Sequence, residues 1–532
     1  MLTSGKISAR EIAAMTLLWL PLAGCQKAAP PRAPTSAEPP HAEAAHAEPE
    51  HAEPAWFQGD VPAAFEAARA SGKPVFLYWG AVWCPPCKQI KATVFSRPDF
   101  IAKSQLFIPV YLDGDTAGAQ RYGDEFQVTG YPTVVILRAD RQEITRISGG
   151  MDLAQYANVL DTALAVARPA SQLLIALHVA KSLSRDECRL LAYRGWGLDE
   201  EARERPELTA KQLHRAAELC PASQGPEHDR LVVLANVFSF APVSAAVNAL
   251  SPILTDPQRA ASAADALTLL DTEFFAAAAK LPAPIPARLR AEWSAAMNAI
   301  AADAQFADPD QVDALAHKLR GLQALNLDAA AFKTEGDAAL ARTEAALAHK
   351  VTAYEHAGTV NSALHVYDVL RRHERAYEVA KAELAVSKQP YYYMVELADQ
   401  CEKMGRNAES LQWAERAYRE AQGIATRFQW GYNYLSSLLK YAPDDAARVR
   451  AVGLQVIGEL DGPDRIYRRT RIRLSKLDAQ LRDWARGEKS TATPAARRVV
   501  LTELRTRLQG VCGKIAAQDA AHASCVGFLA RT

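Results

Sequence analysis

Trp79-Gly80-Ala81-Val82-Trp83-Cys84-Pro85-Pro86-Cys87-Lys88 is the stretch that decides how this chain folds. It closes a continuous apolar run, Pro74 to Trp79, suited to a strand buried on both faces. It opens a helical pattern, Pro85 to Phe95. Cys84 therefore stands at a helix N-terminus, where unpaired amides and the helix dipole favour a thiolate. A thiolate attacks a partner disulfide, and Cys87, one helical turn on, can resolve the mixed disulfide. A Cys-x-x-Cys pair can instead be half of a zinc site. No second close cysteine pair or suitable histidine cluster accompanies it in this part of the chain, so no metal is expected.

The flanking patterns build a domain around the motif. Val61 to Ala70 reads as a short helix and Leu106 to Leu112 as a second buried strand. Thr133 to Leu137 and Glu143 to Ser148 read as an antiparallel pair turned at Ala139-Asp140-Arg141. Asp152 to Ala167 is a closing helix. This order gives an α/β domain with a mixed sheet over residues 56–167. Trp56 and Trp79 are expected in its core, and Trp83 on the surface beside the cysteines.

The motif and the later stretch Phe126-Gln127-Val128-Thr129-Gly130-Tyr131-Pro132-Thr133 together resemble the thioredoxin superfamily. The resemblance implies Cys84 and Cys87 as the redox pair. It implies Pro132 as a cis-proline facing them, and Thr129 to Tyr131 as backbone that pairs with an extended substrate. Trp83, Pro85, Pro86, Lys88 and Tyr131 would flank the site. The dithiol itself would carry the electrons, with no separate cofactor. Thr93 to Phe100 further resembles the periplasmic branch, including the C-terminal domain of the transmembrane disulfide reductase.

One position departs from the family. Six residues before the first cysteine, thioredoxins usually carry a buried Asp that helps deprotonate the resolving cysteine; here it is Tyr78. A tyrosine, with a reference pKa of about 10, is a poor base near neutrality. Water, Glu125 or Asp113 is left to accept the proton. Neither Pro85 nor Pro86 has an N–H to donate to the Cys84 thiolate, and no His stands beside Cys87. The expected couple is reducing, serving as reductase or isomerase of protein disulfides, re-reduced by a membrane-borne thiol donor.

The N-terminus carries Lys6 and Arg10, a short apolar segment from Ile12 to Leu22, then Ala23-Gly24-Cys25. This reads as a signal peptide over residues 1–25. Leu22-Ala23-Gly24-Cys25 resembles the bacterial lipoprotein box, which implies acylation of Cys25 and a periplasm-facing envelope protein anchored by lipid. Gln26 in place of Asp after the cysteine points to the outer membrane. Residues 26–55 are rich in Ala, Pro, Glu and His and read as a disordered tether. Within it, His41-Ala42-Glu43, His46-Ala47-Glu48 and His51-Ala52-Glu53 are better read as low-complexity drift than as a metal site.

Residues 168–532 read as helical throughout, an all-α, repeat-like region that divides into two subdomains. Residues 391–422 resemble one tetratricopeptide-type hairpin, with Leu397 and Ala398 on its first helix, Gly405 at the turn, and Ala414 and Ala417 on its second. One repeat earlier, Ala376 and Ala380 align, but Arg371 falls where Gly is expected. Tyr391-Tyr392-Tyr393 is read as a helix start with two rings buried, and Arg465 to Arg473 as a solvated face.

The chain has 532 residues, 49% of them hydrophobic, and 61 basic against 61 acidic side chains. It is long enough for several domains, and its charge gives no sign of a nucleic-acid partner. Eight cysteines are present; setting aside Cys25, Cys84 and Cys87 leaves five. Cys512 with Cys525 is the expected structural disulfide, worth about 3 kcal/mol in the chain-entropy model. Cys188 can pair with Cys220, leaving Cys401 as a buried apolar group. The rival to an oxidoreductase is a helical scaffold lipoprotein whose thioredoxin-like domain binds partners or senses redox state.

Overall fold

The computed structural model describes residues 53–148, 153–165, 168–198, 204–238, 242–462, 465–487 and 494–530. The expected signal segment, Cys25 and the expected tether up to residue 52 lie outside these.

Strand β1 (Val75–Gly80) is buried along its whole length and lies at the centre of a four-stranded sheet. It pairs in parallel with β2 (Ile108–Asp113) and antiparallel with β3 (Thr133–Leu137). Strand β4 (Glu143–Ser148) closes the other edge. Five helices surround the sheet: α1 (Val61–Ser71), α2 (Pro85–Ile90), α3 (Pro98–Ser104), α4 (Ala117–Glu125) and α5 (Leu153–Ala165). Asp60 starts α1 by accepting the Ala63 N–H at 2.9 Å, and Gly72, at φ 72°, ends it.

Three local readings are corrected. The helix expected over 85–95 is α2 followed by one wide turn, Lys91–Phe95. Helices α3 and α4 were not legible. The first is seven residues long, and the second carries Gly118 and Gly123 and depends on its Thr116 cap. Strand β2 begins at Ile108 because Leu106 is exposed in the preceding turn.

The two faces of β1 belong to different cores. Val75, Leu77 and Trp79 pack with Val61, Phe65 and Phe126. Phe76 and Tyr78 pack with Ile90, Phe95, Tyr156 and Leu160, and that core runs on through Leu173, Cys188 and Leu191 into the helical region. The change of fold type near residue 168 is therefore not a break between cores. A second large core occupies Tyr391 to Leu529. The disulfide Cys188–Cys220 ties neighbouring helices in the first core, and Cys512–Cys525 does so in the second. Cys401 is reduced and buried, and burial pushes its thiol up to about 12. No single helix among the described residues is long and apolar enough to cross a membrane.

The tetratricopeptide-like hairpin is formed by helices Pro390–Lys403 and Asn407–Glu420. A second precedes it, Ala353–Val369 with His373–Glu383. Their turns share one geometry. Gly405 takes φ 74° while Arg406 N–H donates to Cys401 O; Arg371 takes φ 54° while Arg372 N–H donates to Tyr367 O. The misplaced arginine fills the left-handed position that glycine holds one repeat later.

Arg371→Gly relieves an exposed left-handed residue and is expected to raise stability by about 0.5–1 kcal/mol in urea unfolding. At the β4 edge, burial alone would raise Glu143, but Arg194 and Arg146 outweigh it and hold the carboxyl down at about 2 against an ordinary 4.5. A depressed value means stability present above pH 4.5 and lost as pH falls towards 2, worth ~3 kcal/mol at most. Glu143→Gln is expected to flatten that part of the acid limb.

Candidate active site

Cys84 is the N-cap of α2. Its Sγ accepts the Cys87 N–H at 3.2 Å, and Pro85 and Pro86 occupy the first two helical positions. With two donors removed by proline, the Cys87 amide is the one backbone donor to that sulfur among the described residues. Cys84 and Cys87 are joined as a disulfide, and the Tyr131–Pro132 peptide, at the start of β3, is cis. Ala81, Trp83 and Tyr131 pack around the sulfurs.

Tyr78 lies behind α2, fully buried against Trp56, Phe95 and Tyr111. Its hydroxyl has no hydrogen-bond partner among the described residues, and burial drives its pKa far up. It cannot act as a base. Glu125 is ion-paired with Arg141 at the far end of the sheet, beyond Leu137. Asp113 ends β2 beside Gly80, at the same end as the motif, and accepts the Asp115 N–H.

The face that carries the cysteines is covered by the chain's own helices. Trp83, expected on a docking surface, instead packs against Trp430, with ring centroids 5.5 Å apart, and stacks on Tyr392. Its Nε1–H donates to Asp115 at 3.1 Å. The same carboxylate accepts the Thr426 N–H at 2.8 Å and the Thr426 hydroxyl at 2.9 Å. Asp115 thus caps helix Ile424–Tyr441, whose own cap position is Gly423. Gly423 sits at φ 86°, and a Cβ there would collide with the Asp115 side chain. Burial pushes the Asp115 carboxyl up from its ordinary range, against the pull of these three donors.

A second aspartate does the same for helix Arg468–Arg486. Asp124 accepts the Arg468 N–H at 2.7 Å and forms a two-point ion pair with Arg471. Arg469 lies over the Tyr131 ring, 4.2 Å from its centroid. The arginine run 465–473, read as a solvated face, is therefore in part an internal contact, Arg469 with Tyr131 of the redox loop and Arg468 and Arg471 with Asp124. Lys88 donates to Gln389, and Gln89 to Asp310. Tyr391 and Tyr393 are the two buried rings, and Tyr392 is the one turned to Trp83. Asp115, Asp124 and Thr426 carry no sign of this in the sequence, because nothing local marks which distant helix an aspartate will cap.

A sequence profile described as thioredoxin-like domain matches residues 61–164. Those residues form a thioredoxin-like domain, followed by a helical region. Among known proteins, the domain is similar to the thiol:disulfide interchange protein DsbD of Klebsiella pneumoniae, 32% identical over 93 residues. It is 30% identical over 94 residues to DsbD 2 of Pseudomonas aeruginosa. DsbD of Salmonella typhi matches at 31% over 93 residues. Each match covers 17% of this chain and 16% of the relative.

Removing the Asp115 carboxylate leaves three donors without their acceptor in a part-buried contact. Asp115→Ala is expected to cost about 2–4 kcal/mol in urea unfolding and to shift the tryptophan emission as Trp83 is exposed.

Proposed function

We propose that this protein is an envelope thiol–disulfide oxidoreductase that reduces or isomerises protein disulfides. The observation that supports this best is Cys84 at the N-terminus of α2, bonded to Cys87, within the domain that resembles the DsbD proteins. In the reduced enzyme the Cys84 thiolate attacks one sulfur of a substrate disulfide. The substrate S–S bond breaks, a Cys84–substrate disulfide forms, and the other substrate sulfur leaves as a thiolate. Cys87 then attacks Cys84, the Cys84–Cys87 bond forms, and the second substrate thiolate is released. Two electrons pass to the substrate, and a membrane-borne dithiol donor restores the pair. Pro132 orients the substrate strand. The two missing proline donors leave the thiolate less stabilised, which favours a reducing couple.

The Leu22-Ala23-Gly24-Cys25 stretch supports export and lipid anchoring at Cys25, with the outer membrane favoured by Gln26. The disulfides Cys188–Cys220 and Cys512–Cys525 suit an oxidising compartment. A second reading, a helical scaffold whose thioredoxin-like domain binds partners or senses redox state, draws support from the near-complete burial of Cys84.

Trapping separates the two. Cys87→Ser in the native envelope is expected to accumulate mixed disulfides through Cys84, absent from the Cys84→Ser/Cys87→Ser control. No adducts, with no disulfide-reductase activity in the purified wild type, would favour the scaffold.

A further inference from the structure

Cys84 is 3% exposed and Cys87 1%. Exchange needs a partner sulfur to touch the Cys84 thiolate, and burial in an apolar surround disfavours that thiolate in the first place. The site is therefore shut. Its two sides are held differently. Helix α2 is packed against helix Ala353–Val369, where Gly358 comes so close that a Cβ would meet Gln89 at 3.3 Å. Trp83 and Tyr131, which pack on the sulfurs, are held by Trp430 of helix Ile424–Tyr441 and by Arg469 of helix Arg468–Arg486.

Those two covering helices are fastened to the thioredoxin-like domain at α4, which is nine residues long. Asp115, just before α4, accepts from Thr426, and Asp124, in its last turn, accepts from Arg468 and Arg471. The Tyr467 hydroxyl donates to Ala117 O, at the first residue of α4, at 2.9 Å. The fastening is polar, and it carries a cost on both sides. Burial pushes the Asp115 carboxyl up, and Gly423 holds φ 86° directly against that side chain. Polar contacts between parts of one chain are the kind that open and close, unlike a large shared apolar core.

We propose that helices Ile424–Tyr441 and Arg468–Arg486 form an autoinhibitory cover, that the latch at α4 opens and closes while the cores stay folded, and that Cys84 reacts only from the open form. Opening uncovers Trp83 and Tyr131 while α2 stays packed on helix Ala353–Val369. The functional consequence rests on the exchange reading above: the closed cover keeps the pair inactive between encounters. The gate itself is a matter of thiol access and is measured without a substrate protein.

The full chain is reduced with dithiothreitol, desalted and treated with iodoacetamide. The Cys84 thiolate forms a sulfur–carbon bond as iodide leaves, and mass mapping of the Cys84 peptide follows this apart from Cys401. The observed rate is that of the open form multiplied by its population. Gly423→Ala drives a Cβ into the Asp115 side chain at a left-handed residue. Gly405→Ala places similar strain at φ 74°, with nothing within 4 Å of the added atom, at the end of helix Pro390–Lys403 away from Tyr392. Cys84 is expected to react at least about tenfold faster in Gly423→Ala and within about twofold of wild type in Gly405→Ala. Thr426→Val, which deletes the hydroxyl bond to Asp115 without backbone strain, is expected to give about fivefold. Far-ultraviolet circular dichroism checks that each variant is folded, and Thr426→Val decides if Gly423→Ala is not. A folded Gly423→Ala or Thr426→Val reacting at the wild-type rate overturns the gate, as does Gly405→Ala accelerated as much as Gly423→Ala. A folded Gly423→Ala that is alkylated faster yet reduces no protein disulfide supports the gate and overturns the exchange reading.

Discussion

Two aspartates of the thioredoxin-like domain cap two helices that belong to another part of the chain, and much of the architecture depends on this. A helix leaves its first amides without partners, and a side chain at the cap position normally supplies the acceptor. Gly423 has no side chain, and Tyr467 makes no side-chain capping bond. Asp115 and Asp124 supply the acceptors across the domain boundary. Helices Ile424–Tyr441 and Arg468–Arg486 are therefore complete only when docked, and docking them covers the cysteines. Stability of the helical region and access to the redox pair are set by the same contacts.

The aromatic contacts act in the same direction. Trp83 precedes the first cysteine in sequence, yet it packs against the core of the C-terminal helices. Its ring sits against Trp430 and Tyr392 while its N–H is held by Asp115. Moving it would expose a large apolar ring and take one of three donors from a part-buried carboxylate, a cost above that of a surface contact. The redox loop is thus held by the helical region at its Trp83 end and, through Arg469 on Tyr131, at its Pro132 end.

Much of the fold was legible because strong local patterns carried it. The apolar run before the motif is β1, and the strand pair 133–137 and 143–148 stands as read. Helices α3 and α4 were missed because one is too short for periodicity and the other is weakened by glycines. The placement of Cys84 at a helix start was legible, since proline at the first helical turn marks it. The covering of that site was not. Asp115 reads as an ordinary turn residue and Arg465 to Arg473 as an exposed basic face. Their roles arise from pairing over more than three hundred positions of chain, where no local signal exists. Arg371 shows the converse: it broke the repeat pattern in sequence, yet the backbone keeps the repeat geometry and accepts the strain.

The replacement at Tyr78 bears on how a dithiol here would lose its protons. Behind α2 the described residues form the cluster of Trp56, Tyr78, Phe95 and Tyr111, where a hydroxyl is buried without a partner among the described residues and where the one carboxylate at the rim, Glu53, is held by Trp56 and Lys91. An ionised acceptor in that cluster would be costly, and burial has driven Tyr78 away from any basic role. The carboxylates at the motif end of the sheet are Asp113 and Asp115, on the side where the helical region docks. Burial raises Asp115 while its bonds to Thr426 and Trp83 pull it down. In a usual thioredoxin the acceptor lies inside the domain. Here Tyr78 fills that position, and Asp115, at the motif end of the sheet, is committed instead to Trp83 and to Thr426 of the docked helix.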